Sequence, residues 1–335
     1  MINAKLVSDH SHDRQPLHEI LPLNEPLSLT ILASSYCNFK CNYCIHKAPS
    51  DKFKKIQGEA AFLSILMTKK IVQDLKDKNV KLKRIILAGY GEPLLNPNIA
   101  EIVSILKKSD VTKETVIVSN GTMLSHSLSD ELIESGLDLL RISIQGMTNS
   151  SYKNESGVDV DLDNIIDNIK YFYEHKKSTT VYIKIMEEQL ENDFQKDKFF
   201  NIFGKICDEI SIEKLAPITE TTSASYNSDW AKTINGQEIK ESSVCATPFY
   251  SLHIIPNGDT CSCCYVDNLT VFGNVLEENI IDIWHNDIHR QLLIGHLSSN
   301  RDKIKGCNIC VSDKYTMRAE DQLTEYANEL LGKYV

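Results

Sequence analysis

The sequence predicts an α/β fold built from parallel βα units. Segments with alternating apolar residues precede segments with apolar residues at helical spacing, and the pair recurs about every thirty residues. Gly, Asn, Pro and Ser mark the turns between them. The chain has 335 residues, 42% of them hydrophobic, which suffices for a large domain and a smaller one. Periodicity alone does not distinguish an open doubly wound sheet from a barrel of six units.

Six strands and five helices are expected to alternate. The first strand, Leu27 to Ala33, has apolar odd-numbered residues on one face, and the first helix, Glu59 to Leu75, includes Phe62 and Leu66 in its apolar pattern. Further strands are predicted over Arg84–Ala88, Thr115–Ser119, Leu139–Ile144, Thr180–Met186 and Glu209–Lys214. Further helices are predicted over Ile99–Lys108, Ser129–Ser135, Asp163–His175 and Lys196–Ile206, and an amphipathic helix over Arg318–Leu331.

Three cysteines follow the first strand at the spacing C-x3-C-x2-C, namely Cys37, Cys41 and Cys44. Three thiolates from one short loop can each hold one iron of a 4Fe-4S cube, which leaves the fourth iron open to a small molecule. Zinc held by the three thiolates and His46 is the alternative, but structural zinc usually takes its ligands as two separated pairs. The spacing therefore favours an iron-sulfur cluster.

The run Cys-Asn-Phe-Lys-Cys-Asn-Tyr-Cys, in which Tyr43 precedes the last cysteine, resembles the signature of the radical S-adenosylmethionine (SAM) enzymes. The resemblance implies a partial (β/α)6 barrel, with the cluster loop at the carboxyl end of the first strand, where parallel barrels carry their chemistry. It also implies SAM as cofactor, bound to the open iron and in contact with Tyr43. Reductive cleavage of SAM would then give a 5'-deoxyadenosyl radical that abstracts a substrate hydrogen atom.

The end of the second strand has the segment Gly89-Tyr90-Gly91-Glu92-Pro93. It is similar to the family's glycine-rich motif, which receives the methionyl amino group of the cofactor. Gly89 and Gly91 would allow close backbone approach, and Glu92 would accept a charge-assisted hydrogen bond. The alternative is an ordinary turn with a solvated glutamate.

Three later segments supply further candidate cofactor contacts. Residues 119–122, Ser-Asn-Gly-Thr, resemble the family's segment near the ribose and carboxylate, which assigns Asn120, although a simple Asn-Gly turn is the alternative. The fourth strand resembles the family's segment with Ser143 as a polar contact, but Gln145 stands where an aspartate is common. Lys184 is a candidate partner of the cofactor carboxylate or of substrate, or else a solvated strand-end residue.

A second set of cysteines lies beyond residue 240. From the residues alone, four of these thiolates form a closed metal site that suits a zinc ribbon. The order Cys, Gly-x4-Cys-Cys, Phe-Gly-Asn-Val, Ile-Trp and Cys-x2-Cys resembles a shortened SPASM domain, often called Twitch. The resemblance implies one auxiliary 4Fe-4S cluster, with Cys261 and Cys264 competing for the place of the second ligand. The assigned ligands are Cys245, Cys263, Cys307 and Cys310.

Composition and segment order complete the expected organisation. The formal net charge of -10 argues against a general nucleic-acid or membrane-surface binder, and ten cysteines suit metal ligation in a reducing cytoplasm. Residues 1–15 lack the apolar region of a signal peptide, and no apolar run approaches the ~20 residues of a membrane span. The expected parts are an arm (1–25), the barrel (26–218), a linker or lid (219–240), the auxiliary-cluster domain (241–315) and a C-terminal helix (316–335).

Two reactions fit this resemblance. In oxidation, the substrate radical loses a proton and passes its electron to the auxiliary cluster. This reaction resembles those of the butirosin-pathway dehydrogenase and of the anaerobic sulfatase-maturing enzymes. In epimerisation a thiol, Cys261 or Cys264, returns a hydrogen atom. An iron-sulfur electron carrier without substrate chemistry is the third possibility.

The expected substrate is a small polar molecule such as a sugar, aminocyclitol or nucleotide-linked sugar. Peptide-modifying relatives often have a peptide-recognition domain before the barrel, and residues 1–25 are too short for a winged-helix one. A ribosomal peptide is the second choice. The expected protein partner is a low-potential electron donor such as flavodoxin or ferredoxin.

Overall fold

The computed structural model describes residues 4–8, 14–47, 61–217, 231–263 and 270–335, which together form one ten-stranded sheet flanked by helices. The strands are β1 (Lys5–Leu6), β2 (Ser28–Ile31), β3 (Leu82–Leu87), β4 (Thr112–Ser119), β5 (Leu139–Ile144), β6 (Thr180–Met186), β7 (Glu209–Glu213), β8 (Ser251–Ile254), β9 (Asp259–Cys261) and β10 (Val271–Asn274).

The order across the sheet is β1-β7-β6-β5-β4-β3-β2-β8-β9-β10. In this order, neighbouring strands from β1 through β8 pair in parallel. The last two pairs, β8 with β9 and β9 with β10, are antiparallel. Because β1 and β10 are the two ends of this order, the barrel is open along one side. All six predicted strands are present, and the predicted α/β fold is confirmed.

Eleven helices are present in the described part of the chain. They are α1 (Leu17–Ile20), α2 (Ile65–Asp77), α3 (Ile99–Ser109), α4 (His126–Ser135), α5 (Asn149–Ser156), α6 (Leu162–His175), α7 (Asp193–Phe203), α8 (Ile280–His285), α9 (Asp287–Leu297), α10 (Ser312–Thr316) and α11 (Ala327–Tyr334). None of these helices has the length and apolar character needed to cross a membrane.

Capping explains why helix α2 begins later than predicted. Ser64 has an extended backbone, and its hydroxyl accepts a hydrogen bond from the backbone N–H of Met67, which fixes the first turn at Ile65. Phe62, which the sequence analysis placed in the helix, instead forms an antiparallel bridge with Ser34. The predicted start at residue 59 falls outside the described residues.

The C-terminal helix is also shorter than the predicted Arg318–Leu331 segment. Two 3-10 turns, Ala319–Asp321 and Thr324–Tyr326, come before it. Arg14 donates to both carboxylate oxygens of Asp321, at 2.7 and 2.6 Å, and His18 stacks on the ring of Tyr326. These contacts with the N-terminal segment outweigh the helical pattern, so the prediction was wrong over residues 318–326.

The two faces of the parallel strands differ in chemistry. Outward side chains such as Leu29, Ile85 and Ile142 join the main apolar core with the helices. Inward, a small apolar cluster forms around Val116, Leu139 and Tyr182. Polar side chains occupy the rest of the inner face, where burying them requires hydrogen-bond or ionic partners.

Candidate active site

The loop after β2 brings Cys37, Cys41 and Cys44 together. The Cys44 N–H donates to the carbonyl of Cys41 at 2.9 Å, and the Phe39 N–H lies 3.5 Å from the Cys37 sulfur. Burial raises the pKa of Cys37 to about 12 and raises the pKa of Cys41 and Cys44 as well, and the neighbouring thiols add to the effect at Cys37 and Cys41. Iron takes thiolates, so cluster binding must release these protons. Three thiols on one short loop fit a site-differentiated 4Fe-4S cluster.

Gln145, which follows β5, holds this loop from one side. Its Oε1 accepts hydrogen bonds from Tyr43 Oη at 2.9 Å and from Gln189 Nε2 at 2.8 Å, and it lies 3.9 Å from the Cys41 sulfur. Gln145 is itself 3% exposed. A neutral amide thus stands where the family often has a carboxylate, and it orders Tyr43. The sequence analysis did not identify Gln189, which lies in a turn without a motif.

Asn38 holds the loop from the other side. Its Nδ2 donates to Thr122 Oγ1 at 2.7 Å, and its Oδ1 accepts from Asn120 Nδ2 at 2.9 Å. Asn120 Oδ1 in turn accepts from the Thr122 N–H at 3.0 Å. The cluster loop is therefore tied to the end of β4. The place of Asn38 inside the cysteine motif was the available sequence signal, and the sequence analysis overlooked it.

The glycines of the 89–93 segment allow the backbone to pass very close to the cluster loop. Gly89 has φ +129°, a conformation that residues with side chains rarely adopt. A methyl group on Gly91 would lie 1.5 Å from the carbonyl oxygen of Ser34. Both positions therefore require glycine, and the segment forms a shallow backbone surface beside the cysteines.

Glu92 is 2% exposed and joins the ends of β3 and β4. Its Oε1 accepts from the Leu94 N–H at 3.0 Å and from Ser119 Oγ at 2.7 Å, and its Oε2 accepts from the Asn120 N–H at 2.8 Å. Burial raises the pKa of Glu92, and these three donors oppose the increase. Oε2 keeps a second lone pair, so the contact with the methionyl amino group stays a prediction.

A buried charged cluster lies on the inner face of β5, β6 and β7. Glu213 accepts from Arg141 Nη2 at 2.6 Å, from Tyr182 Oη at 2.9 Å and from Lys184 Nζ. Lys184 is thus paired with a protein carboxylate, and Ser143 is its neighbour in the register of β5 and β6. Arg141 and Lys184 thus share the carboxylate of Glu213.

The barrel interior contains a cavity of about 930 Å3. Its wall includes Tyr43 of the cluster loop, the auxiliary cysteines Cys245 and Cys263, Lys184 and the β8 residue His253, among many others. Burial lowers the pKa of His253 to about 4, so this imidazole is neutral. The cavity therefore reaches from Tyr43 of the cluster loop to two of the auxiliary thiols.

A second, small cavity is lined by all four thiols that the sequence analysis assigned to the auxiliary cluster. Burial raises the pKa of Cys245 to about 12 and that of Cys307 to about 11. Arg301 closes this site by donating to the Cys310 carbonyl at 2.9 Å and to Asp313 at 2.7 Å.

Four thiols around one small cavity fit a cluster, whose irons are held by different residues. Among the described residues, no three His, Cys, Asp or Glu side chains converge tightly enough to hold one metal ion. Thiolates that hold different irons of a cube need no such convergence. The auxiliary cysteines therefore fit an iron-sulfur cluster.

Of the two other candidate cysteines, Cys261 and Cys264, the structure describes only Cys261. Cys261 lies at the end of β9, is 7% exposed, and its sulfur contacts the Cys263 carbonyl at 3.3 Å. It does not belong to the described lining of either cavity. Cys264 lies outside the described residues. The structure thus brings Cys263, and not Cys261, to the other three thiols.

Two family models match the chain. The model described as the radical SAM superfamily matches residues 31–200. The model described as an iron-sulfur cluster-binding domain, SPASM, matches residues 245–311. The matches include the cluster loop and all four auxiliary cysteines.

Known proteins give a consistent picture of the fold. A GTP 3',8-cyclase of Clostridium perfringens is 25% identical over 196 residues, which are 57% of this chain and 56% of the cyclase, so the match spans about half of that relative. The structure of Streptococcus suis SuiB bound to S-adenosylmethionine has a TM-score of 0.64 at 20% identity, covering 92% of this chain and 80% of SuiB. BtrN in complex with AdoMet and 2-DOIA has a TM-score of 0.56 at 18% identity, covering 86% of this chain and 93% of BtrN.

Proposed function

Because the chain belongs to the radical SAM superfamily, we propose that it oxidises a small polar substrate by two electrons, with the auxiliary cluster as electron acceptor. Cys37, Cys41 and Cys44 would hold the 4Fe-4S cluster, which together with SAM would supply the radical chemistry that removes a hydrogen atom from the substrate. A low-potential protein such as flavodoxin or ferredoxin supplies the first electron, and we place the reaction in the cytoplasm.

The observation that carries this proposal is a cavity whose wall includes both a residue of the first cluster loop and two auxiliary thiols. It extends from Tyr43 beside the first cluster loop to Cys245 and Cys263 of the auxiliary set. Its volume of about 930 Å3 lies within the range of about 300–1,000 Å3 that is usual for small-molecule sites, and it has to hold SAM as well. Both features favour a small substrate with access to both clusters.

Each set of residues has a separate task in this proposal. Cys37, Cys41 and Cys44 hold the first cluster, while Asn38 and Gln145 fix the loop that bears it. The assigned auxiliary cysteines hold the second cluster. Lys184, Arg141 and Glu213 present charged groups to the cavity, where they can orient hydroxyl groups of the substrate.

Epimerisation has less support from this geometry. It requires a thiol positioned to return a hydrogen atom to the substrate radical. Cys261 is absent from the described lining of the cavity, and its sulfur points to the Cys263 carbonyl. An electron acceptor beside the cavity, by contrast, is what an oxidation needs.

The test is anaerobic turnover of the reconstituted protein with dithionite and SAM in deuterated water. The candidate substrates are sugars, aminocyclitols, nucleotide-linked sugars and, because of the cyclase relatives, GTP, and mass spectrometry follows each of them. We expect a product two hydrogen atoms lighter, without carbon-bound deuterium, and one 5'-deoxyadenosine per product. An isomer that carries one deuterium would refute oxidation, and oxidation of a peptide alone would refute the small substrate.

A further inference from the structure

Ser262 lines both cavities of the candidate active site. It lies between Cys261 and Cys263 and contributes to the lining of both the large cavity and the small four-thiol cavity. Its residue is 1% exposed. Its hydroxyl oxygen is inaccessible to solvent and has no hydrogen-bond partner among the described residues.

A buried hydroxyl without a partner is unfavourable, at a cost of about 1–3 kcal/mol. Native structures therefore seldom leave one unless an absent group satisfies it. The four thiols nearby are candidate cluster ligands, and a thiolate-bound cluster is an anion rich in sulfur acceptors. The chemistry that fits the orphaned hydroxyl is a hydrogen bond to such a sulfur.

We infer that the Ser262 hydroxyl donates a hydrogen bond to a sulfur of the auxiliary cluster and thereby raises the reduction potential of that cluster. This inference rests on the proposed function, in which the auxiliary cluster accepts an electron. A donor to sulfur stabilises the reduced cluster more than the oxidised one, because reduction adds one negative charge. Ser262 is thus a tuning residue and takes no part in bond breaking.

A higher reduction potential of the auxiliary cluster would assist the proposed oxidation at the step that transfers an electron to that cluster. The substrate H–C–O–H loses one hydrogen atom from carbon to the deoxyadenosyl group, one proton from oxygen to solvent or a base, and one electron to the auxiliary cluster. The C–H and O–H bonds break, and the C=O bond forms. The substrate is oxidised by two electrons, and the auxiliary cluster is reduced by one.

The test is an electron paramagnetic resonance redox titration of Ser262→Ala in the reconstituted full-length protein. A parallel series with Cys37, Cys41 and Cys44 replaced by alanine isolates the auxiliary signal. We expect the ratio of reduced to oxidised auxiliary cluster at a fixed potential to fall about tenfold, which equals a decrease of about 59 mV for one electron.

Ser251→Ala is the matched control. Ser251 also lines the large cavity but not the four-thiol cavity, and its hydroxyl is already bonded to Ser28 Oγ at 3.1 Å. We expect this variant to keep the wild-type potential. Ser262→Thr keeps the hydroxyl, and we expect its auxiliary cluster to have a reduction potential close to that of the wild type.

A second measurement does not depend on how well the alanine variant folds. In deuterated water, pulsed electron paramagnetic resonance of the reduced wild-type auxiliary cluster is expected to show an exchangeable deuteron close to a cluster sulfur. The Ser262→Ala variant is expected to lack this deuteron. An unchanged potential in Ser262→Ala, or no such deuteron in the wild type, overturns the inference even if substrate is oxidised. A lowered potential in a protein that oxidises no substrate instead overturns the proposed function.

Discussion

Replacing Glu213 by glutamine tests the buried charged cluster of the barrel. Glu213 is 4% exposed and is held by Arg141, Lys184 and Tyr182. The substitution keeps the shape of the side chain but removes its charge. Arg141 and Lys184 then lose the carboxylate that both of them contact, and we expect the folded state to be strongly destabilised.

The magnitude follows from the environment of the carboxyl group. Burial acts to raise the pKa of Glu213, but Arg141 and Lys184 outweigh it and hold the pKa at about 2 instead of 4.5. At about 1.36 kcal/mol per pKa unit, this difference corresponds to about 3 kcal/mol. Removal of one partner from a buried ion pair gives a similar value, about 3–5 kcal/mol.

The sign determines where this stabilisation is present. Since the folded-state pKa lies below the unfolded value, the ionised form favours the folded state. The contribution of Glu213 is complete above pH 4.5 and is lost as the pH falls from there toward 2. At pH 7.5 the wild type has all of it, and Glu213→Gln has none.

The assay is urea denaturation at pH 7.5 under anaerobic conditions, followed by circular dichroism. The control is Glu134→Gln, which breaks the surface pair with Lys177 where the two side chains are 70% and 64% exposed. Surface pairs contribute about 0–1 kcal/mol, so this variant should differ little from wild type. Equal midpoints for Glu213→Gln and Glu134→Gln would refute the reasoning.

Three more variants test the cofactor sites. Replacing Cys37, Cys41 and Cys44 by alanine should reduce the iron content from about eight to about four atoms per chain, because the two cysteine sets are separate; loss of all iron would contradict this. Glu92→Gln should weaken SAM binding tenfold or more in calorimetry, since a charged acceptor worth roughly 1.5–3 kcal/mol is lost, and unchanged affinity would remove the assignment of that loop. Asn38→Ala should increase the rate at which a chelator removes iron from the first cluster and should leave the auxiliary signal unaffected. Equal rates of iron loss in the variant and the wild type would show that the loop does not depend on the hydrogen bonds of Asn38.

Local patterns predicted much of this fold. The strands Leu139–Ile144 and Thr180–Met186 have the expected bounds because buried apolar residues occupy every second position of both. The cysteine spacing likewise sufficed to identify the family, which the family models confirm. Strong local signals of this kind need no knowledge of distant contacts.

The features that the sequence did not predict are contacts between segments that lie far apart along the chain. The pairing of Ser251–Ile254 with β2 joins segments more than 200 residues apart in sequence, and no periodicity encodes it. The orientation of Glu92 toward Ser119 and Asn120, and the contacts of Asn38 with Thr122, are side-chain choices set by packing at the strand ends. Such contacts become visible only in three dimensions.

The pairing of β8 with β2 limits how this protein can be divided. A fragment that ended before residue 241 would leave Ser28–Ile31 with an unpaired edge on the side where Ser251–Ile254 now lies. Exposed edges of this kind pair with other chains and cause aggregation. The C-terminal region is therefore not an exchangeable module, and fusions or domain swaps should keep both strands from the same parent.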